Sequence, residues 1–221
     1  MSKAIVLLSG GQDSTTSLYW ALERFNEVIA VGFDYGQMHK QELQQAKKIA
    51  KDAGVEYQIL DIKGLLAKSS LTESTDHNQS SYLDDTLPAS FTAGRNLLFL
   101  TIAASLGAER GITNLVTGVC QTDYSGYPDC RRDTIDALEQ TFNLGMGAKP
   151  YIIYTPLMYL TKAETFKMAN DLGVLDVIIN DTLTDYNGNM TKNDWGYGTL
   201  DNPASQLRAK GYYEAKEKGW L

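Results

Sequence analysis

Short apolar runs alternate with helical patterns along most of this chain. Residues 4–8 are continuously apolar and read as a buried strand; within 14–25, Leu18, Leu22 and Phe25 fall at i, i+4 and i+7, one face of a helix. A second strand is predicted over 28–33. Leu43, Ala46, Ile49 and Ala50 share one side of the next helix, Gly54 closes it, and 55–60 supplies a third strand. The stretch 63–92 is rich in Ser, Thr, Asp and Asn without sustained periodicity, so it reads as a long surface loop, either a lid or a disordered insertion. Beyond it come an apolar helix over 95–106, a strand ending over 115–118, a helix over 135–144 and a fifth strand over 151–154. Repeated β-then-α order predicts an α/β fold, a doubly wound parallel five-stranded sheet covered on both faces. Ligands then bind beyond the carboxyl ends of the strands.

Composition narrows the classes. At 221 residues with 43% hydrophobic positions, the chain can bury a proper core as one domain with a small C-terminal appendage. The first apolar run is too short for a signal peptide or a membrane span before Ser9-Gly10-Gly11 interrupts it, so a cytoplasmic protein with no membrane partner is expected. The two cysteines, Cys120 and Cys130, then read as reduced thiols, and the sequons at Asn78, Asn180 and Asn189 as chance matches. A formal charge of -7 disfavours a phosphate-backbone footprint, so no nucleic-acid partner is expected and a nucleotide-sized ligand fits better than a polymer.

Candidate chemistry begins where the first strand meets the first helix. Ser9, Gly10, Gly11, Gln12, Asp13, Ser14 and Thr15 lie where backbone N–H groups and the helix dipole can hold phosphate oxygens. The glycines let the backbone approach an anion, the hydroxyls of Ser9, Ser14 and Thr15 donate, and Asp13 can hold Mg²⁺ against a pyrophosphate. The pattern resembles the PP-loop, Ser-Gly-Gly-x-Asp-Ser, of ATP pyrophosphatases. No Gly-x-x-x-x-Gly-Lys-Ser/Thr occurs, and Gly145-Met146-Gly147 lacks both a preceding strand and the third glycine of a dinucleotide fingerprint.

Further segments carry a more specific resemblance. They are Asp34-Tyr35-Gly36-Gln37-Met38-His39, Gln41-Glu42, Gly94-Arg95-Asn96, the run from Asp123 to Arg131, Pro156-Leu157-Met158 and Lys162-Ala163-Glu164. In this order they resemble the 7-cyano-7-deazaguanine synthases (QueC) of queuosine biosynthesis, over nearly the whole chain. The resemblance implies an adenine nucleotide alpha hydrolase-like, Rossmann-like fold. It divides the chain into a PP-loop ATP-binding domain, 1–178, and an appendage, 179–221, that corresponds to the family's zinc region. It also implies a homodimer and an ATP-dependent carbon–nitrogen ligase. Such a ligase converts 7-carboxy-7-deazaguanine and ammonia to 7-cyano-7-deazaguanine (preQ0) through adenylated intermediates, releasing AMP and pyrophosphate. A related amide-forming ligase that stops at 7-amido-7-deazaguanine, and a nucleotide-binding paralogue without catalysis, stand as alternatives.

On that scheme the resemblance makes Lys162, Asp13 and Arg95 the catalytic set. Lys162 neutralises charge on the α-phosphate, and Arg95 reaches phosphate, orients the acid, or pairs structurally with a carboxylate. Asp123, Tyr124, Tyr127, Asp129 and Arg131 form a polar and aromatic loop suited to a flat deazaguanine. His39 reads as a proton carrier or a structural histidine, and Cys130 as packing or substrate contact. One departure is large. The family carries four zinc-binding cysteines near the C-terminus; here their places are taken by Asp185, Thr199, Asn202 and Ser205, so no metal ligand set and no zinc are expected. Hydrogen bonds among those four residues, and burial of Trp195 and Tyr197 with Tyr212 and Trp220 as partners, are expected to hold the tail instead.

Overall fold

Ala4, Ile5 and Val6 are fully buried because β1 (Lys3–Leu7) lies at the centre of a sheet with helices on both sides. In the computed structural model, which describes residues 2–38, 40–67, 69–72, 81, 87–122, 127–147 and 149–221, the sheet comprises β1, β2 (Glu27–Asp34), β3 (Glu56–Asp61), β4 (Asn114–Val116) and β5 (Ile152–Tyr154). All pairings are parallel and the order is β3-β2-β1-β4-β5. The five strands predicted from apolar runs are therefore present, each within two residues of its expected bounds at either end.

Alternation of side chains along β1 divides the core in two. Ile5 and Leu7 face α3 (Arg95–Arg110) and α4 (Arg132–Gly145) through Leu100, Ala104 and Ile135. Ala4, Val6 and Leu8 face α1 (Gln12–Leu22) and α2 (Gln41–Asp52) through Leu18, Ala46 and Ile49. A third cluster joins α5 (Lys162–Asp171), α6 (Leu175–Asp181) and α7 (Pro203–Glu217), with Phe166 and Ile178 fully buried at its centre. Tyr212 packs edge-on against Phe166, and Trp220 joins the same cluster. The aromatic partners expected for Trp195 are thus used elsewhere, because α7 turns that side toward α5. Trp195 is buried all the same, and the short hairpin of β6 (Lys192–Asn193) and β7 (Gly196–Tyr197) carries it.

Of the 63–92 loop, the described parts tie its two ends together: Ser70 N donates to Ala89 O at 3.0 Å, and the Ser69 and Thr92 hydroxyls are 2.7 Å apart. Among the described residues no helix is long and apolar enough to cross a membrane.

Candidate active site

The sheet reverses direction of winding at β1, and the chain leaving β1 forms the PP-loop there. Gly10 has φ +92, and a Cβ at that position would stand 2.2 Å from the Glu42 carbonyl oxygen of α2, so only glycine fits between loop and helix. The loop is tied internally: the Ser9 and Ser14 hydroxyls are 3.0 Å apart and Ser14 Oγ donates to Gly11 O at 3.2 Å. It is also tied from the far end of the chain, since Leu183 N donates to Gly10 O and Gln12 N donates to Thr184 Oγ1.

Lys162 reaches this loop from α5. Thr161 and Glu164 form a reciprocal capping box, with Glu164 N donating to Thr161 Oγ1 at 3.2 Å and Thr161 N to Glu164 Oε2 at 2.8 Å, which fixes the start of the helix. Lys162 is then the first helical residue, at the end of the dipole that disfavours a cation. Its ammonium instead donates to both carboxylate oxygens of Asp13, at 2.9 and 2.8 Å. Side-chain exposures of 7% and 25% keep this pair largely out of water, so it holds its geometry better than a surface ion pair does.

A cavity of about 630 Å³ opens above the pair, large enough for a nucleotide-sized ligand. Ser9, Gly11, Gln12, Asp13 and Ser14 line it; Gly10 and Thr15 do not, the first pressed on α2 and the second fully buried. Arg95 at the start of α3, Tyr127 and Tyr186 line it as well, with the Arg95 guanidinium carbon 6.0 Å from the Tyr127 ring centre. Burial works against the charge of Arg95, but Tyr35, Tyr127, Asp129 and Cys130 outweigh it, and the guanidinium holds its proton more tightly than usual. Ser90 Oγ lies 2.6 Å from the Tyr127 hydroxyl, which in turn is 3.5 Å from that of Tyr186.

Two expected substrate contacts lie elsewhere. Asp129 is buried, and its Oδ2 accepts from Asn96 N at 3.0 Å and from Asn96 Nδ2 at 3.1 Å, so its carboxylate serves the start of α3 and does not line the cavity. Arg131 is exposed at the start of α4 and outside the cavity wall. Asp123, Tyr124 and His39 lie outside the described residues. Cys130 lines the cavity, as does buried Cys120.

Glu42, Tyr186 and Ser90 line the cavity and carry no role in the sequence reading. Glu42 stands inside a segment quoted for the resemblance, and Tyr186 follows Asp185, one of the four positions where the family has cysteines; these were the available signals. Burial raises the Glu42 carboxyl to about 8, with Arg95 pulling it down and Asp185 pushing it up. The folded protein therefore keeps a proton that the unfolded chain releases near pH 4.5, and stability falls as pH rises from there through about 8. Glu42→Gln is expected to raise the melting temperature at pH 8 and to leave it little changed near pH 5. Equal shifts at both values would remove Glu42 from this account.

At the four positions where the family has cysteines, the donor set suits hydrogen bonding and not zinc. One buried carboxylate, Asp185, accepts from Asn202 Nδ2 at 2.8 Å, Ser205 Oγ at 2.7 Å and Thr199 N at 3.1 Å. Among the described residues no three His, Cys, Asp or Glu side chains gather as a metal would need.

The chain matches the family model described as "Queuosine biosynthesis protein QueC" over residues 3–216. It is 51% identical over 216 residues to a 7-cyano-7-deazaguanine synthase of Clostridium acetobutylicum, covering 97% of this chain and 95% of that one. A 7-cyano-7-deazaguanine synthase of Bacillus subtilis is 48% identical over 214 residues, covering 96% and 94%. Among solved structures, an NMN synthetase from Francisella tularensis superposes with a TM-score of 0.50 at 13% identity, covering 98% and 86%. A predicted subunit of tRNA methyltransferase from Methanocaldococcus jannaschii gives 0.50 at 19% identity, covering 77% and 75%. These two likenesses concern the fold.

Proposed function

Because this chain belongs to the QueC family of queuosine biosynthesis, we propose a reaction in which the cavity holds ATP and a deazapurine acid against Lys162 and Asp13. The protein is an ATP-dependent ligase that makes 7-cyano-7-deazaguanine. A carboxylate is inert to ammonia, so its oxygen attacks the α-phosphorus of ATP, the bond to pyrophosphate breaks, and an acyl adenylate forms. Ammonia adds to the acyl carbon, AMP and a proton leave, and the amide remains. The amide oxygen attacks the α-phosphorus of a second ATP and a second pyrophosphate leaves; loss of AMP and protons gives the nitrile.

The observation that carries this reading is the Lys162–Asp13 contact inside the cavity, beside the PP-loop. The loop holds the pyrophosphate, Lys162 faces the charge that builds on the α-phosphate, and Arg95 orients the acid. Tyr127 and Tyr186 offer faces for the flat base. Mg²⁺, when bound, neutralises pyrophosphate charge, and Asp13 is the residue that would hold it. In this reading 1–178 is the ATP-binding unit and 179–221 its buttress, and the protein works in the cytoplasm as a zinc-free homodimer.

Supplied with 7-carboxy-7-deazaguanine, ATP, ammonia and Mg²⁺, the protein is expected to yield the nitrile with AMP and pyrophosphate, and to stop when Mg²⁺ is withheld. Mass spectrometry of the base and chromatography of the nucleotides check both. Release of ADP and phosphate would sink adenylation, and accumulation of the amide alone would favour an enzyme that stops halfway.

A further inference from the structure

Asp185 is 1% exposed and lines the cavity together with its two neighbours, Thr184 and Tyr186. On one side Thr184 Oγ1 accepts from Gln12 N of the PP-loop at 3.2 Å, and Leu183 N donates to Gly10 O at 3.0 Å. On the other side Tyr186 forms part of the wall, its hydroxyl 3.5 Å from that of Tyr127. The carboxylate between them accepts five hydrogen bonds. Oδ1 takes Asn187 N at 2.8 Å and Asn189 N at 3.2 Å; Oδ2 takes Thr199 N, Asn202 Nδ2 and Ser205 Oγ.

These donors come from three separate stretches: the turn after Asp185, the segment after β7, and the start of α7. Asn202 joins two parts of this arrangement: its Oδ1 accepts from Ser205 N at 3.1 Å and so caps α7, while its Nδ2 donates to Asp185 and to Asp201 Oδ1. Buried Arg208, from the same helix, adds a bond to Thr184 Oγ1 at 3.0 Å and donates to the carbonyls of Ile178 and Trp195. Charge-assisted bonds of this kind are about twice as strong as neutral ones, and a buried carboxylate with five donors has no lone pair left to give a cation.

We propose that Asp185 is a positioning residue for the reaction: its carboxylate is a metal-free hub that sets Thr184 on the PP-loop and Tyr186 in the base pocket together. This rests on the ligase reading for the identity of the acid, but not for the nucleotide. Loss of the hub loosens both flanks at once, so it weakens ATP and the acid in parallel. A tail that merely adds stability would leave binding intact wherever the protein is folded.

The test uses the full chain and the variants Asp185→Asn and Ser205→Ala. Asn keeps the shape but turns an NH₂ group toward the donors of one side; the Ser205 variant removes a single bond and leaves the backbone free to fold. ATP affinity is read by calorimetry at a temperature where circular dichroism shows each protein fully folded, and KM for the acid by initial rates. We expect Asp185→Asn to weaken ATP and raise KM for the acid at least tenfold each, Ser205→Ala severalfold each, and EDTA to leave the wild-type melting temperature unchanged. Native ATP affinity in folded Asp185→Asn overturns the proposal; if that variant does not fold, native affinity in Ser205→Ala does so. A wild-type melting temperature that drops by many degrees in EDTA also overturns it, since a metal would then do the work. Should wild type bind ATP yet leave the acid unchanged, the ligase reading fails while the calorimetric arm still decides the hub.

Discussion

Lys162→Met is expected to lower kcat at least a hundredfold, about 2.7 kcal/mol in the barrier, while the protein stays folded. Methionine keeps the apolar stem, so the packing beneath the side chain is preserved while the charge and its two bonds to Asp13 are removed. In the resting protein that charge is held by both oxygens of Asp13, largely shielded from water. A cation already fixed in place costs little reorganisation when negative charge develops beside it, which is why the effect falls on the chemical step. AMP formation at saturating substrates measures it, with a melting curve to confirm folding. A rate within threefold of wild type would mean that the α-phosphate sits elsewhere.

The second large effect is structural. Gly10→Ala is expected to destabilise the protein by about 3 kcal/mol or more, and to abolish ATP binding in whatever fraction still folds. The backbone there has φ +92, which costs an alanine roughly 1–2 kcal/mol by itself. The added carbon would also stand 2.2 Å from Glu42 O and 2.8 Å from Ala46 N, backbone atoms of a packed helix that cannot swing away. Gly54→Ala is the control, since Gly54 has φ +69 but nothing within 4 Å of the new carbon. Denaturant unfolding of the two variants separates backbone strain from collision. Equal losses would show that the loop can move off α2.

What could be read from the chain follows from how local each signal is. The strands were legible because a parallel sheet buried on both faces needs uninterrupted apolar runs, and 4–8 and 28–33 are such runs. The PP-loop was legible because one turn carries its glycines, hydroxyls and Asp13 together. Lys162 could be placed at a helix start, but not opposite Asp13, because the contact forms between α1 and α5. Asp129 was read as a substrate contact for want of the same information. The N-cap of α3 is Gly94, with no side chain to cap the helix, so the capping carboxylate comes from a distant turn. Glu42 and Tyr186 face the cavity only because α2 and the 183–186 segment converge on the loop, and no spacing in the chain announces it. The exchange of four cysteines for a carboxylate hub was partly legible: the residue types suited hydrogen bonds, but the central place of Asp185 needed the fold.

The packing of α7 against α5 has a bearing on how this protein is made. A Cβ at Gly211 would lie 2.7 Å from both Cβ and Cγ of Lys162, so the backbone of α7 is the floor on which that side chain rests. The sheet, the PP-loop and α5 can all emerge from a ribosome before that floor exists. A nascent chain halted before Gly211 therefore presents Lys162 without the part of its bed that the α7 backbone supplies.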